Sequence, residues 1–399
     1  MPGPTIQAPA ALRAPSGRPP RPALAVILRE WGRIGCIGFG GPPAHIALLR
    51  ELCVTRRRWL DDREFEDAIA TTNLLPGPAS TQLAIYCAWR LRGIAGALVG
   101  GVGFIVPGLI LILGLAALFL AASPPGWVLG AGAGSGAAVA AVALQAAANI
   151  APASWRRAPA RPRWIAYLFI GGLAAAILGP WLVLVLLGCG ALEIGLQRVQ
   201  SGRGVASLHA WPPLAAASAG AGGLLALAWV AFKVGALSYG GGFVIIPLMQ
   251  HDAVDTYHWM TDGQFLNAVA LGQVTPGPVV HTVAAVGYAA AGLGGGLLAA
   301  LVAFAPSFSF ILIGAQRFDR VRTSQSVRAF LDGAGPAAIG AIAGAAIPLA
   351  LALSETWQVA VLAAAALALF VLHRGIVLTL ITAGAAGALA SALGAPLPS

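Results

Sequence analysis

The sequence predicts an all-α, polytopic helical membrane protein with two inverted-topology repeats, each containing a broken re-entrant helical hairpin. Three observations predict this fold. Of the 399 residues, 58% are hydrophobic and only 10% are charged, and several uncharged stretches exceed the roughly 18 residues needed to cross a bilayer. A set of motifs recurs at an offset of 200 residues. Finally, the positive charges of equivalent loops lie at opposite ends of the apolar segments in the two copies.

The repeat needs no gaps in the alignment of the two halves. Trp59 and the Pro-Gly-Pro sequence at 76–78 recur as Trp259 and the Pro-Gly-Pro sequence at 276–278. A duplicated apolar chain with a helix breaker at the same depth in each half is typical of secondary transporters. The sequence therefore divides into a disordered basic N-terminal arm at 1–22, a first repeat at 23–203 and a second repeat at 204–399.

Apolar stretches long enough to enter a membrane follow one another along both halves. Two of them, 65–89 and 265–289, are interrupted at their centres by Pro-Gly-Pro, where proline removes backbone donors and glycine permits a sharp reversal. The segment 26–33 carries Arg29, Glu30 and Arg33 and is expected at the membrane interface. The predicted full spans are 93–122, 128–151, 165–178, 181–196, 213–232, 294–315, 330–353, 358–372 and 375–393.

Loop charges orient the two halves. The loop at 50–63 contains Arg56-Arg57-Arg58, whereas the equivalent loop at 250–263 has no lysine or arginine. One segment later the bias reverses, because 121–127 is uncharged and 317–328 carries four arginines. Basic loops tend to stay in the cytoplasm, so the second half is predicted to lie upside down relative to the first.

The same charges define the path of the two broken segments. Basic loops flank 65–89 on both sides, so both of its ends are predicted on one face of the membrane. A re-entrant hairpin satisfies this requirement, and 265–289 is predicted to mirror it from the other face. Irregular backbone at that depth is tolerated only where it is buried in protein or lines a cavity. The two tips therefore indicate a shared site near the middle of the membrane.

Composition and motifs exclude several other classes of protein. The net charge of +10 comes mainly from arginines in short loops, without the interleaved aromatic residues of a nucleic-acid-binding surface. The four cysteines show no paired spacing, so neither a metal site nor a disulfide framework is predicted. The chain has no Walker loop, which argues against direct use of ATP.

Two sets of motifs, one in each half, resemble a known family. The first set is Phe39-Gly40-Gly41-Pro42, 73–78 and Thr81-Gln82-Leu83-Ala84, and the second is 238–242, 273–278 and Gly287-Tyr288. Over 32–122 and 232–316 the chain resembles the chromate ion transporter family. The resemblance implies efflux of chromate across the bacterial inner membrane, with sulfate as the close analogue, no cofactor and no covalent chemistry. His281 departs from the pattern, because a small apolar residue is expected at that position.

A divalent oxyanion that leaves water needs hydrogen-bond donors and positive potential. Helix N-termini supply unpaired N–H groups and the positive end of a dipole, and glycine leaves the backbone open to approach. Close helix packing is the alternative explanation for the glycines, and bonding to a neighbouring helix is the alternative for the polar residues. The candidate substrate-binding residues are Gly40, Gly41, Pro42, Asn73, Pro76, Gly77, Pro78, Thr81, Gln82, Gly240, Gly241, Gly242, Gln273, Thr275, Pro276, Gly277, Pro278 and His281.

Ionisable residues near the glycine motifs are candidates for electrostatic attraction or coupling. Arg33 and Lys233 occupy equivalent positions in the two repeats, and Glu30 is the candidate partner that a buried arginine needs. Snorkelling of both cations to the interface is the alternative. His45 and His281 can titrate near neutrality, and His281 is a candidate for contact with the ion or with a coupling proton.

The sequence leaves alternatives for the transported species, for the class of protein and for the coupling ion. Sulfate or another anion could be taken up or exchanged, and a lipid flippase or a channel could share the re-entrant architecture. A membrane enzyme would need convergent nucleophile, base or metal-binding groups, and none of the usual spacings is present. The coupling ion is either a proton or a counter-anion. The predicted partners are the oxyanion and the lipid bilayer, and a homodimer is neither indicated nor excluded.

Overall fold

A computed structural model describes residues 21–73, 75–121, 123–178, 181–200, 223–238, 245–314 and 324–398. All regular structure in these ranges is helical, so the predicted all-α class is confirmed. The first half contains α1 (Leu24–Ile37), α2 (Pro42–Arg50), α3 (Asp62–Thr72), α4 (Ala79–Phe119), α5 (Gly126–Ala137), α6 (Val139–Arg157), α7 (Arg161–Ile177) and α8 (Leu182–Gln200). The second contains α9 (Leu224–Leu237), α10 (Ile245–Gln250), α11 (Asp262–Val274), α12 (Thr282–Gly314), α13 (Gln325–Leu351), α14 (Thr356–Ala366) and α15 (Ile376–Ala392).

The length and composition of the helices confirm a polytopic membrane protein. Within the described residues, five helical stretches are long and apolar enough to cross a bilayer: Ala79–Phe119, Gly126–Arg157, Leu182–Gln200, Val279–Gly314 and Gln325–Leu351. Shorter apolar helices add Leu224–Leu237, Thr356–Val371 and Ile376–Ala392. Large apolar side chains such as Ile110, Leu301 and Leu351 are exposed on their outer faces. Contact with lipid stabilises such apolar surfaces, whereas their exposure to water would raise the free energy of the folded protein.

The two halves build the same local structures at the same offset. α2 and α10 each continue into one π-helical segment, Glu51–Arg56 and His251–Thr256. α3 and α11 each begin with a capping box, in which Asp61 or Thr261 accepts the backbone N–H three residues later. Equivalent sequences therefore fold in equivalent ways, even where the capping residue differs.

Each half contains a pair of helical arms joined at a Pro-Gly-Pro tip. The first hairpin consists of α3, the tip at 73–78 and the arm of α4 from 79 to 91; the second consists of α11, the tip at 275–278 and the arm of α12 up to 290. Each second arm ends where the helix is broken, at Gly93 (φ 60°) and Gly292 (φ 61°), a conformation that favours glycine. The remainders of α4 and α12, 94–119 and 293–314, are called the central segments.

The two central segments pack against each other and run antiparallel. Gly101 lies against the ring of Phe308, and Gly296 lies against Leu113. As the chain advances along one segment, its contacts move backwards along the other. Equivalent helices that run antiparallel are the arrangement that an inverted repeat requires.

The later helices of the two halves interlock. α13 of the second half packs against α7 and α8 of the first half, and α15 packs against α5. Small residues permit these close approaches: Gly340 faces the carbonyl of Leu168, and Gly387 faces the carbonyl of Gly130. Helices in membranes commonly associate through such glycine contacts. The halves are therefore repeats of sequence and local structure that share one packed body.

One expected span differs from the structure in its extent, and a second expected segment packs against the protein. The span expected at 213–232 is represented by α9, Leu224–Leu237, because the helix extends further towards the glycine motif; 201–222 lie outside the described residues. The segment at 26–33, expected at the interface because of its charges, forms the middle of α1 and packs along α4. Its Glu30 and Trp31 are buried, whereas Arg29 and Arg33 are exposed, so one face of this segment packs against the protein and its place at the membrane interface stays a prediction.

Candidate functional site

The irregular segment between α1 and α2 and the end of α9, here called the helix breaks together with the two tips, contact the opposite half crosswise. The chain between α1 and α2, residues 38–41, touches the second tip, where the N–H of Gly277 donates to the carbonyl of Gly38 at 3.0 Å. The first tip touches the end of α9, where Gly77 faces the carbonyl of Gly235. Each hairpin tip therefore lies against the glycine-containing helix end of the opposite half.

Both contacts lie beside the middle of the central segments. Gly108 of α4 faces the carbonyl of Pro276, and Ser307 of α12 faces Gly77. The ring of Phe104 packs edge-on against His45 with centroids 5.0 Å apart, and Phe304 packs in the same way against His281 at 5.3 Å. Each tip therefore packs on the opposite half beside the central segments, and a direct meeting of the two tips stays a prediction.

The first tip ends α3 and starts the second arm. Asn73 caps the C-terminus of α3 with its side chain exposed, and α4 begins immediately after Pro78. The side chain of Gln82 folds back, so that its Nε2 donates to the carbonyl of Pro76 at 2.6 Å. The first N–H groups of a helix have no partner within it, so the start of this arm presents donors at the tip.

The second tip is more deeply buried than the first. Gln273, Thr275 and the Pro-Gly-Pro residues Pro276, Gly277 and Pro278 are all buried, whereas Asn73 and Pro76 of the first tip are exposed. His281 is completely buried, one turn beyond the tip. The two halves of the site are therefore unequal.

Several buried polar side chains at these breaks carry an atom that has no hydrogen-bond partner. Within the described part of the chain, most of the buried side-chain polar atoms without a partner belong to seven residues at the breaks and central segments: Thr81, Gln82, Ser238, Gln273, Thr275, His281 and Ser307. Leaving one buried polar group unpaired costs about 1–3 kcal/mol. Such a concentration in an otherwise apolar interior makes these groups the candidates for contact with a ligand.

The first glycine motif leaves space at the site. Gly41 (φ 73°) immediately precedes Pro42, the first residue of α2, and no atom of the described residues lies within 4 Å of the position that a Cβ would take. Gly40 (φ 98°) approaches only the methyl group of Ala44. The second motif, Gly240, Gly241 and Gly242, lies outside the described residues.

Three further residues join the site that the sequence did not select as ligands. His45 of α2 is buried, with Nε2 2.9 Å from the carbonyl of Gly38 and Nδ1 3.1 Å from Ser80 Oγ. Because a carbonyl only accepts, Nε2 carries the proton and the hydroxyl of Ser80 donates to Nδ1. Ser238 and Ser307 are also buried. In the sequence, each of the three stands out as a polar residue in an apolar stretch. Their position near the tips depends on tertiary contacts, which the sequence does not show.

The charged residues are paired away from the tips. Lys233 Nζ lies 2.6 Å from Asp252 Oδ2, while Arg33 is exposed on α1. Glu30 pairs with Arg56 at 2.6 Å and with Arg57 at 2.7 Å. Arg33 is exposed and is not the buried arginine for which Glu30 was the candidate partner; the π-helical segment after α2 brings Arg56 and Arg57 to Glu30, and Arg29 lies 3.7 Å from it. Arg56 and Arg57 therefore hold Glu30 in an ion pair, in addition to the expected effect of the arginine cluster on the orientation of the first half in the membrane.

A cavity of about 280 Å³ follows the second hairpin from its open end. Thr261, Gln264 and Asn267 line its outer part, and Leu271 and Ala285 line the inner part, about one helical turn from the tip. None of the predicted binding residues lines this cavity. It extends towards the second tip from the side on which α11 begins.

Comparison with known proteins gives one consistent result. The family model described as Chromate transporter matches residues 25–194 and 225–389. A chromate transport protein of Cupriavidus metallidurans is 31% identical over 92% of this chain and 92% of its own length. A chromate transport protein of Pseudomonas aeruginosa is 31% identical over 84% of this chain and 83% of its own length. No solved structure matches the chain. Within the described residues, no cluster of three or more His, Cys, Asp or Glu side chains is placed to hold a metal ion.

Proposed function

Because the chain belongs to the chromate transporter family, we propose that it exports chromate from the cytoplasm through one site at the crossing of its helix breaks. The family match over both halves makes it a multi-pass ion transporter of the plasma membrane. We further propose that transport is secondary active and that sulfate-like oxyanions share the site. Gly40 to Pro42 and the two Pro-Gly-Pro tips would form the backbone of this site.

The observation that carries the proposal is the set of unpartnered polar groups at the breaks. A tetrahedral dianion loses its hydration shell on entry and needs hydrogen-bond donors from several directions. Hydroxyl groups of Thr81, Thr275 and Ser307 can supply such donors, and hydrogen bonds to charged groups contribute about 1.5–3 kcal/mol each. The first turns of the helices after each tip add N–H groups and the positive end of the helix dipole.

The arrangement of the repeats supports alternating access. We assign 23–203 and 204–399 as the two repeats, and their central segments run antiparallel through contacts such as Gly101 with Phe308. Each tip rests on the opposite repeat, so a small rocking of one repeat would move a tip and a glycine break together. The cavity along the second hairpin reaches towards the site from one side. Rocking would close this side and open the equivalent path along the first hairpin.

Transport by membrane vesicles tests the proposal. Everted vesicles that contain the protein are expected to accumulate chromate when energised, and an excess of sulfate is expected to inhibit this uptake. Uptake by right-side-out vesicles alone would show the opposite direction of transport. Chromate flux that ignores sulfate would contradict a shared oxyanion site, and lipid translocation without chromate flux would identify a flippase.

A pair of matched variants assigns that transport to the site. Thr275→Val removes a buried hydroxyl that bonds to nothing in the protein, whereas Thr382→Val removes an exposed hydroxyl that bonds only to its own helix. Thr275→Val is expected to weaken transport about tenfold or more, the effect of one lost hydrogen bond to an anion. Thr382→Val is expected to transport normally. Equal transport by the two variants would contradict a role for Thr275.

A further inference from the structure

His281 is a buried histidine whose ring nitrogens have no partner. Its side chain is 0% exposed, and neither Nδ1 nor Nε2 makes a hydrogen bond. Gly277 and Gly108 lie close to the ring on two sides, and Phe304 packs against it edge-on. The carbonyl of Ile105 lies beside the ring but outside hydrogen-bonding geometry. An imidazole held in this way at a transport site is available to a ligand.

The described segments around His281 contain no permanent charge. The first break, the two tips and the middle of the central segments carry two ionisable side chains, His45 and His281; these segments are 38–45, 73–84, 100–112, 273–284 and 300–312, and the second glycine motif lies outside the described residues. Among the described groups that act electrostatically on His281, His45 of α2 is the titratable one. Both nitrogens of His45 are already engaged, by Gly38 and Ser80. Lys233, which precedes the second break, is balanced by Asp252.

A divalent anion would therefore enter this site without a balancing cation. Neutral donors and helix dipoles stabilise part of its charge, but an unbalanced dianion in an apolar interior remains costly. A proton on His281 would lower the net charge of the occupied site from two negative charges to one. The same proton is unfavourable in the empty site, where the imidazolium is buried without a counter-charge. The proton and the anion thus stabilise each other, and each should promote binding of the other.

We propose that His281 takes up one proton when a divalent oxyanion binds, so that the site binds anion and proton together. This inference rests on the proposed function and specifies its binding chemistry. The first repeat has Thr81 at the equivalent position, so the proton would bind on one side of the site only. Affinity for a dianion should then rise as the pH falls, by about tenfold for each pH unit while the free histidine is neutral.

Sulfate is the suitable probe, because it keeps both charges across the pH range in which histidine titrates, whereas chromate itself takes up a proton near neutrality. Calorimetry of sulfate binding to the purified full-length protein, in two buffers of different ionisation enthalpy, counts the protons taken up. We expect about one proton per sulfate for the unmodified protein at about pH 7.5. For His281→Thr, which installs the residue of the first repeat, we expect weaker binding and no proton uptake.

His373→Asn is the matched control. His373 is exposed, and its positive φ of 49° is one that asparagine tolerates, so this variant is expected to keep both affinity and proton uptake. Sulfate binding by the unmodified protein without proton uptake would overturn the inference and leave the proposed function intact. Undiminished proton uptake in His281→Thr would also overturn it. Absence of any binding of sulfate or chromate by the unmodified protein would instead contradict the proposed function.

Discussion

Replacement of Gly41 with alanine is expected to abolish most chromate transport, whereas the same replacement of Gly93 is expected to leave transport largely intact. The two glycines have nearly the same backbone conformation, with φ 73° and ψ −155° at Gly41 and φ 60° and ψ −146° at Gly93. Among the described residues, neither has an atom within 4 Å of a new Cβ. Any L-residue therefore pays a similar backbone strain at both positions, about 1–3 kcal/mol.

The two positions differ in what the strained backbone holds in place. Gly41 lies directly before α2, in the segment that contacts the second tip. Because Pro42 and Pro43 carry no N–H, a shift there moves the backbone donors of Gly40, Gly41 and Ala44, which would face the anion. Gly93 separates the first hairpin from its central segment, one arm away from the tips. Transport and thermal stability measured together distinguish the two effects. Equal loss of transport in both variants would show that backbone strain, and not the site, explains the loss at Gly41.

Replacement of Asp252 with alanine is expected to lower the free energy of unfolding by about 3–5 kcal/mol. The side chains of Lys233 and Asp252 are only 16% and 7% exposed, so the variant leaves a buried ammonium group without its partner. Trp229, whose ring lies 5.9 Å from Lys233 Nζ, compensates only part of that loss. Thermal denaturation in detergent, monitored by intrinsic fluorescence, measures the effect.

The double variant Lys233→Met with Asp252→Leu separates structure from function. Leucine is the residue of the first repeat at the equivalent position, Leu52, and apolar replacement of a whole buried ion pair is often neutral or stabilising. The double variant is therefore expected to recover stability and to transport chromate normally. Recovered stability with lost transport would show that the charge of Lys233 attracts the anion, as its position in the sequence first indicated.

The sequence alone predicted those features that depend on local pattern. Long uncharged stretches, a break at 76–78 with its copy at 276–278, and the reversal of arginine bias between loops are all visible without a structure. They predicted the helices and the hairpin tips. The extent of α9 was missed because the helix continues towards the glycine motif, where no stop signal separates it from the preceding apolar run.

Features that depend on which helix faces which neighbour could not be predicted. Nothing in the sequence pairs Gly38 with Gly277, because the hydrogen bond joins two irregular segments from different halves. The contact of Glu30 with Arg56 depends on the turn of the chain after α2. Ser307 faces a tip because the central segment carries it there, and helical periodicity in a uniformly apolar helix does not mark an inner face.

Equilibrium binding of radiolabelled sulfate to the purified protein tests whether both halves contribute to one oxyanion site. Thr81→Val and Thr275→Val each remove a buried, unpartnered hydroxyl from a different half. Because neither hydroxyl bonds to the protein, neither change should lower stability. For a single shared site, we expect one sulfate bound per chain. Its affinity should be about tenfold or more lower in either variant and unchanged in Thr382→Val. Two sulfates per chain, or a site indifferent to one of the two substitutions, would contradict a single site shared by the halves.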